Sequence, residues 1–439
     1  MPTIAERYTQ KFRKSAEISE QGHDVVSGGA HLTRPVSPHP VFVDEARGAL
    51  KWDADGNEIV DYMMGFGALL LGNAHPAVTK AIAERLGQGT HMGTPSQLEL
   101  RWARLVQEIV PSAERVRFTS SGTESTLLAL RLARGYTGKS KIIKFREHFH
   151  GWHDYLSPGS GINTQVGIPE ETLSTVAVVE PSIDAVERYL SQDDDVAAVI
   201  VEPTGGHWGQ FPLPNPEFLE ALRDLTQRHG VMMIMDEVIC GFRVSRGGAQ
   251  ERFGVTPDLT TMAKIVAGGL PGGAIGGRAE IMELLASPDS SKRITHPGTF
   301  NANPTSASAG IAALQLIKDE PINEAADAAA ARLKRGLRDA FRRTEVVGHV
   351  HGIASIVHVV LGAECDCEGE ICTLAHSQLA EATSAPKSSL LKLAMLNEGV
   401  DMMGGIGFMV SAVHEEEHVD RTVQAFERSL SALRDEGVV

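Results

Sequence analysis

The chain has 439 residues, 42% hydrophobic and 22% charged, so disorder and a fibrous repeat are excluded and a sizeable core over two or three compact units is expected. Its 41 basic against 56 acidic residues give a formal charge of −15, the opposite of the basic footprint that nucleic acid demands. No apolar run approaches the roughly 20 residues that span a bilayer, the start MPTIAERYTQKFRKSAEISEQ lacks an apolar signal core, and 4 cysteines make no disulfide framework; a cytoplasmic protein with no membrane or nucleic-acid partner is expected.

Residues 1–24 read as one amphipathic helix, with Ile4, Tyr8, Phe12 and Ala16 at helical spacing, either an arm on a partner subunit or a surface helix. Residues 40–62 read as two short β-rich runs around the turn chemistry of Asp53, Asp55, Gly56 and Asn57. From Pro76 to Glu320 apolar runs alternate with helical stretches, the pattern of an α/β domain with a mostly parallel sheet. Within it, AAVIVEP (197–203) is a buried strand. Asn215-Pro216 then supplies an N-cap and first-turn proline for a helix with stripe Phe218, Leu222 and Leu225, stopped by Gly230. The strand VMMIMDEV (231–238) is apolar until Asp236-Glu237, so those acids fall at its carboxyl end, where open α/β sheets bind ligands. Beyond about residue 330 an Arg-rich helix, the strand run 353–361, a polar loop and a last helix from 418 read as an α+β piece. The chain thus divides into 1–75 (N-terminal arm and small-domain segment), 76–320 (large domain) and 321–439 (C-terminal small domain).

In RVRFTSSGTESTLLALRLARG (115–135) a strand runs into a helix through Ser120-Ser121-Gly122-Thr123, offering free N–H groups and a positive dipole end to a phosphate. Ser121 and Glu124 also form an S-x-x-E capping box that needs no ligand. Lys264, in DLTTMAKIVAGG, sits among Met262, Ala263, Ile265 and Val266; an apolar setting lowers a lysine pKa and exposes the neutral amine, though a structural lysine would look the same. GGLPGGAIGG (268–277) does not follow a strand as G-x-G-x-x-G, which argues against a nicotinamide site. A phosphate cradle, an acid, an amine and the aromatic Phe149 in HFHGWHDY are together the parts of a pyridoxal-phosphate site.

The order SGTE, FHG, VEP, DEVICGFR, DLTTMAKIVAGGLPGGAIGG and GTFNANP resembles the class III, fold type I pyridoxal-phosphate aminotransferases. Within them the chain is most similar to glutamate-1-semialdehyde aminomutases and β-amino-acid aminotransferases, from GALKWDADGNEIVDY to the NEGVDM segment. The resemblance implies a large cofactor-binding domain with a mostly parallel sheet, and a small α+β domain formed by both chain ends. It implies that Lys264 holds the cofactor as a Schiff base and shuttles a proton, and that Asp236 pairs with the protonated pyridine nitrogen. Ser121, Gly122 and Thr123 would bind the phosphate, Phe149 and Val238 would flank the ring, and His150 and Glu202 would lie behind them. Thr299 would reach the phosphate of the neighbouring subunit, which implies a homodimer with shared sites.

Some positions depart from the aminomutases: Gly404-Gly405-Ile406-Gly407 stands where they carry a glutamate before GFM, Thr204 to His207 where they carry an asparagine, and Phe66 where they carry a substrate-channel tryptophan. The stretch 156–169 resembles their gating loop. Arg34 falls near an arginine that binds the substrate carboxylate, although a ligand-free loop arginine fits equally. Cys365, Cys367, Cys372 and His376 could hold zinc, but C-x-C is a poor tetrahedral spacing; a surface loop with free thiols, and no metal, is expected. The expected activity is transfer of an amino group between an amino acid, β-amino acids included, or an amine and a keto acid. The alternatives are a semialdehyde 2,1-aminomutase and a catalytically idle binding protein of the same fold.

Overall fold

A computed structural model describes residues 2–28, 37–162, 164–365, 367 and 370–439. The chain forms two units, residues 76–321 and the two ends 1–75 with 322–439.

The first unit is built on a seven-stranded sheet in the order Arg115–Thr119, Gly273–Gly277, Leu259–Ala263, Met232–Asp236, Val196–Val201, Lys141–Phe145 and Val176–Val179. Gly273–Gly277 runs antiparallel to both its neighbours; the other pairings are parallel. The central strands are buried on both faces, which is why they read as continuous apolar runs. Alternate residues enter different cores. Ala198, Ile200, Met232 and Ile234 pack with Leu128 and Leu132 of the helix Gly122–Thr137. Val199, Val201, Met233 and Met235 pack with Phe218, Leu222 and Leu225 of the helix Phe218–Arg228. Each of the larger of these side chains contributes about 1.5–3 kcal/mol by leaving water.

The apolar stripe and the stop at Gly230 (φ 62) are as expected, but the helix begins at Phe218, two residues after Pro216. Asn215 and Pro216 occupy a preceding turn, in which the Phe218 N–H donates to the Asn215 carbonyl at 3.3 Å. Helix Pro304–Asp319, by contrast, starts as its residues predict, with Pro304 in the first turn and the Asn303 side chain accepting from Ser306 N–H.

The second unit draws one core from both chain ends, including Tyr8, Val60, Leu337, Val357, Met395 and Phe426. One sheet orders Val43–Arg47, Leu50–Asp53, Glu58–Asp61 and Val400–Asp401; another orders Gly348–His351, Ile356–Leu361 and Gly407–Met409. Residues 1–24 are not one helix. Ile4–Lys11 and Arg13–Gly22 are separated at Phe12, whose φ of −109° and ψ of 52° leave the helical region. The break lets Ile4, Tyr8 and Phe12 all enter this unit's own core, so these side chains do not form a free arm. Among the described residues no helix is long and apolar enough to cross a membrane.

Candidate active site

Apart from Thr299, the sequence-predicted site residues of the large unit follow the carboxyl ends of its parallel strands, as ligand-binding residues of open α/β sheets do. Ser121 follows Arg115–Thr119, His150 follows Lys141–Phe145, Glu202 follows Val196–Val201, Asp236 ends its strand, and Lys264 follows Leu259–Ala263.

Asp236 is buried at the centre of a fixed network. Its Oδ2 pairs with His150 Nδ1 at 2.7 Å; its Oδ1 accepts the Thr261 hydroxyl at 3.0 Å and the Val238 N–H at 3.1 Å. Thr261 is the register partner of Asp236 on the neighbouring strand, so sheet pairing itself holds the carboxylate. A carboxylate has about four acceptor directions, and these donors leave room for one more. His150 is fully enclosed, its pKa lowered by burial against the pull of Asp236, and its Nε2 has no hydrogen-bond partner among the described residues.

Lys264 has φ 57, a left-handed conformation that costs a side-chain-bearing residue roughly 1–2 kcal/mol. It opens a short 3-10 turn, Lys264–Ala267, directly after a fully buried strand. Burial lowers its pKa, while Asp236 and Glu202 oppose the shift and Arg243 adds to it. Glu202 accepts backbone N–H groups from Phe149 at 2.6 Å, His207 at 3.2 Å and Trp208 at 2.9 Å. Those donors favour the carboxylate, yet burial outweighs them and pushes its pKa up to about 8. Glu202 thus anchors the Phe149 backbone from behind.

The helix Gly122–Thr137 starts at Ser121, whose hydroxyl accepts from Glu124 N–H at 3.2 Å. The reciprocal half of the capping box is displaced: the Glu124 carboxylate takes the N–H of Ser120 at 2.7 Å, not that of Ser121. The first turn is therefore held from outside, while its N–H groups retain the usual lack of intrahelical acceptors. A Cβ on Gly122 would lie 3.0 Å from Val238 and 3.4 Å from Ala263, so only glycine lets the turn approach both the residue beyond Asp236 and the one before Lys264. Gly151, with φ 97, plays the same part opposite Thr123; a Cβ there would lie 2.6 Å from the Thr123 hydroxyl.

Thr299 is exposed, in a loop whose carbonyl at that residue meets His91 Nε2. The same loop sits beside its own chain's cradle, because Ser120 Oγ lies 3.5 Å from Asn301 Oδ1 and Arg117 donates to the His296 carbonyl at 2.8 Å. Phe66 belongs to the other unit, 37% exposed and in a left-handed turn, and Arg34 lies outside the described residues. The cysteine segment is a surface loop, exposed at Glu364, Glu370 and Thr373, but its thiols are not all free: Cys365 and Cys367 are joined as a disulfide, Cys372 is buried, and the side chain that joins the three cysteines is His349, not His376.

Two residues escaped the reading of the sequence. Thr261 precedes the lysine motif, and its bond to Asp236 depends on strand register that one strand alone does not reveal. Lys144 is fully buried in its strand, donating to the Leu156 carbonyl at 2.8 Å, with burial lowering its pKa to about 7. A lysine inside the apolar run KIIKF was the available signal.

A glycine-enabled helix N-terminus, a buried acid with a free acceptor direction and an amine of lowered pKa suit a phosphorylated pyridine aldehyde. The comparisons agree. The family model "Aminotransferase class-III" matches residues 32–430. The chain is 38% identical over 427 residues to "Glutamate-1-semialdehyde 2,1-aminomutase 2" of Brevibacillus brevis, covering 94% of this chain and 97% of that one. A solved "Transaminase with PLP bound" superposes with a TM-score of 0.87 at 30% identity, covering 98% and 99% of the two chains. A β-phenylalanine aminotransferase from Variovorax paradoxus does so with a TM-score of 0.84 at 27% identity, covering 99% and 97%. The chain belongs to the class-III aminotransferases, fold type I enzymes whose cofactor is pyridoxal phosphate.

Proposed function

We propose that the chain moves an amino group between neighbouring carbons of one substrate, as a 2,1-aminomutase acting on an amino-aldehyde of the glutamate-1-semialdehyde type. The observation that carries this reading is the near full-length likeness to the Brevibacillus aminomutase, at higher identity than either transaminase structure reported above. It displaces the intermolecular transfer that the residue departures favoured. One feature still favours that second reading: Gly405 has φ 73, and a Cβ there would collide with the Ser388 carbonyl. The stretch Gly404 to Gly407, where the resemblance places an aminomutase glutamate, carries no acid in this chain.

In either reaction pyridoxal phosphate, when bound, supplies an electron sink for the carbon that carries the amine. Lys264 Nζ, held below the usual lysine range by burial, would hold the cofactor and would carry the proton to and from the reacting carbon. Asp236, its carboxylate fixed by His150 and Thr261, would hold the pyridine nitrogen through its remaining acceptor direction. Ser121, Gly122 and Thr123 hold the phosphate at the helix N-terminus, while Phe149 and Val238 flank the ring. The enzyme is tested with a single amino-aldehyde in the absence of any keto acid. Many turnovers per site to the isomer with its amine on the adjacent carbon support the aminomutase. A single partial turnover that resumes only when a keto acid is added supports the transaminase with its separate amino acid and keto acid.

Each site is completed by a second copy of the chain, through Thr299. Its exposure and that of Phe300, at 60%, suit a loop covered by a partner. Thr299→Ala chains mixed with Lys264→Ala chains then regain activity, because a mixed dimer holds one intact site. No recovery on mixing means that the loop serves its own cradle, beside which it sits.

A further inference from the structure

His349 lies on the strand Gly348–His351, opposite Val360 of Ile356–Leu361. After Leu361 the chain turns back at Gly362, whose N–H donates to the Val347 carbonyl at 2.7 Å. The following segment has neither helix nor strand among its described residues until His376. It carries Cys365, Cys367 and Cys372, and their sulfurs with one ring nitrogen of His349 all lie within 4.8 Å of one another.

The geometry points to a zinc site of the Cys3His type, formed by His349, Cys365, Cys367 and Cys372 in their reduced state. A tetrahedral zinc ion with Zn–S near 2.3 Å and Zn–N near 2.0 Å places its donors roughly 3.5–3.8 Å apart. Cys372 Sγ and Cys365 Sγ are 3.8 Å apart, and His349 Nε2 is 3.0 Å from Cys372 Sγ. His349 Nδ1 is 3.0 Å from the Ala363 carbonyl, to which it donates. That bond fixes the tautomer and turns the Nε2 lone pair toward the sulfurs, the outer-shell arrangement of metal-binding histidines. The site does not depend on the C-x-C pair alone, since Cys372 adds a third sulfur and His349 a donor from a strand upstream. Three thiolates and one divalent ion leave one net negative charge, and the Arg338 guanidinium, bonded to the Val350 carbonyl at 2.9 Å, acts electrostatically on His349. The ion would clip an otherwise irregular segment to a sheet strand.

In the structure Cys365 and Cys367 are joined as a disulfide, so metal binding needs their reduction. A phosphine achieves it in balance: it takes oxygen from water and leaves as the phosphine oxide, and the two sulfurs become thiols. Zinc then displaces one proton from each of the three thiols, while His349 keeps its Nδ1 proton on Ala363.

The test uses holoenzyme reduced with a water-soluble phosphine, stripped with a chelator and dialysed against zinc or cobalt(II). We expect about one ion per chain, and with cobalt the thiolate-to-metal charge-transfer and intense visible bands of a tetrahedral sulfur-rich site. Cys372→Ser and Cys365→Ser remove both signals, and His376→Ala keeps them, with the visible absorption of the lysine-bound cofactor reporting that each variant is folded. Absence of stoichiometric metal or of the cobalt–thiolate bands in the wild type, which needs no variant to fold, overturns the proposal. So does metal retained in a Cys365→Ser, Cys372→Ser double variant, or lost in His376→Ala.

Discussion

Each unit buries charged side chains, and the lysine–aspartate cluster of the small unit differs from the groups at the carboxyl edge of the large sheet. In the small unit Lys51 lies 3.0 Å from Asp61 and also bonds Asp401, which bonds Lys392 in turn. These lysines and aspartates balance one another: Asp401 is held down at about 2, with the lysines outweighing the cost of its burial, and Lys51 is raised by its carboxylates. Lys392 is the exception, lowered by burial. At the carboxyl edge of the large sheet burial wins instead. Lys264 and His150 are lowered, and Glu202 is raised to about 8. Buried charges that serve the fold are paired so as to stay ionised. Those at the site are enclosed without full compensation, and so sit nearer the point at which protons are exchanged.

The largest expected effect is that of Lys264→Ala, which should abolish turnover while the protein folds and still takes up cofactor without the visible band of covalent attachment. Wild-type turnover in that variant removes the site assignment. Asp236→Asn comes next. The amide cannot hold a proton on the ring nitrogen, and we expect a loss of about 3–5 kcal/mol in transition-state stabilisation, read as kcat/KM, at near-native stability. Asp401→Asn should do the reverse. Leaving Lys392 without its carboxylate and Lys51 with Asp61 alone should cost about 3–5 kcal/mol of folding stability by denaturant titration, with kcat unchanged in the fraction that remains folded.

Thr261→Val is a smaller intervention, removing one neutral-to-charged hydrogen bond to Asp236 worth about 1.5–3 kcal/mol. It should lower kcat roughly tenfold or more, and an equal loss in stability with kcat intact would make Thr261 a fold residue only. The smallest effect is on pH dependence. Glu202, raised to about 8 in the folded state, takes up a proton on folding between its ordinary value of 4.5 and that point. Its contribution to stability is therefore fully present below about 4.5 and lost as pH rises through about 8. Asp401, lowered to about 2, contributes stability that is present above 3.8 and lost as pH falls through about 2. A proton-uptake measurement on unfolding at pH 6 to 7 should show release from Glu202 that disappears in Glu202→Gln.

The strand-end and helix-start positions proposed for the site were legible because apolar runs and small residues mark them in the sequence. Asp236 after MMIM and Gly122 before an apolar helix are such cases. The left-handed Lys264 was not legible, since nothing in MAKIV demands φ 57. Nor was the bond from Thr261, which depends on register between strands separated by a helix. Val400–Asp401, pairing parallel with Val60–Asp61, is a two-residue strand too short to show any period. The partner of the cysteines was misjudged for a related reason. His376 is close in sequence, but His349 is brought in by a sheet.

Two buried lysines of lowered pKa, Lys144 and Lys264, lie in the large unit, and the account assigns the cofactor to the second. Borohydride reduction of the holoenzyme followed by peptide mass mapping decides between them. A phosphopyridoxyl group on the peptide containing Lys264, with Lys144 unmodified, is the predicted result; the group on Lys144, or on neither lysine, contradicts it.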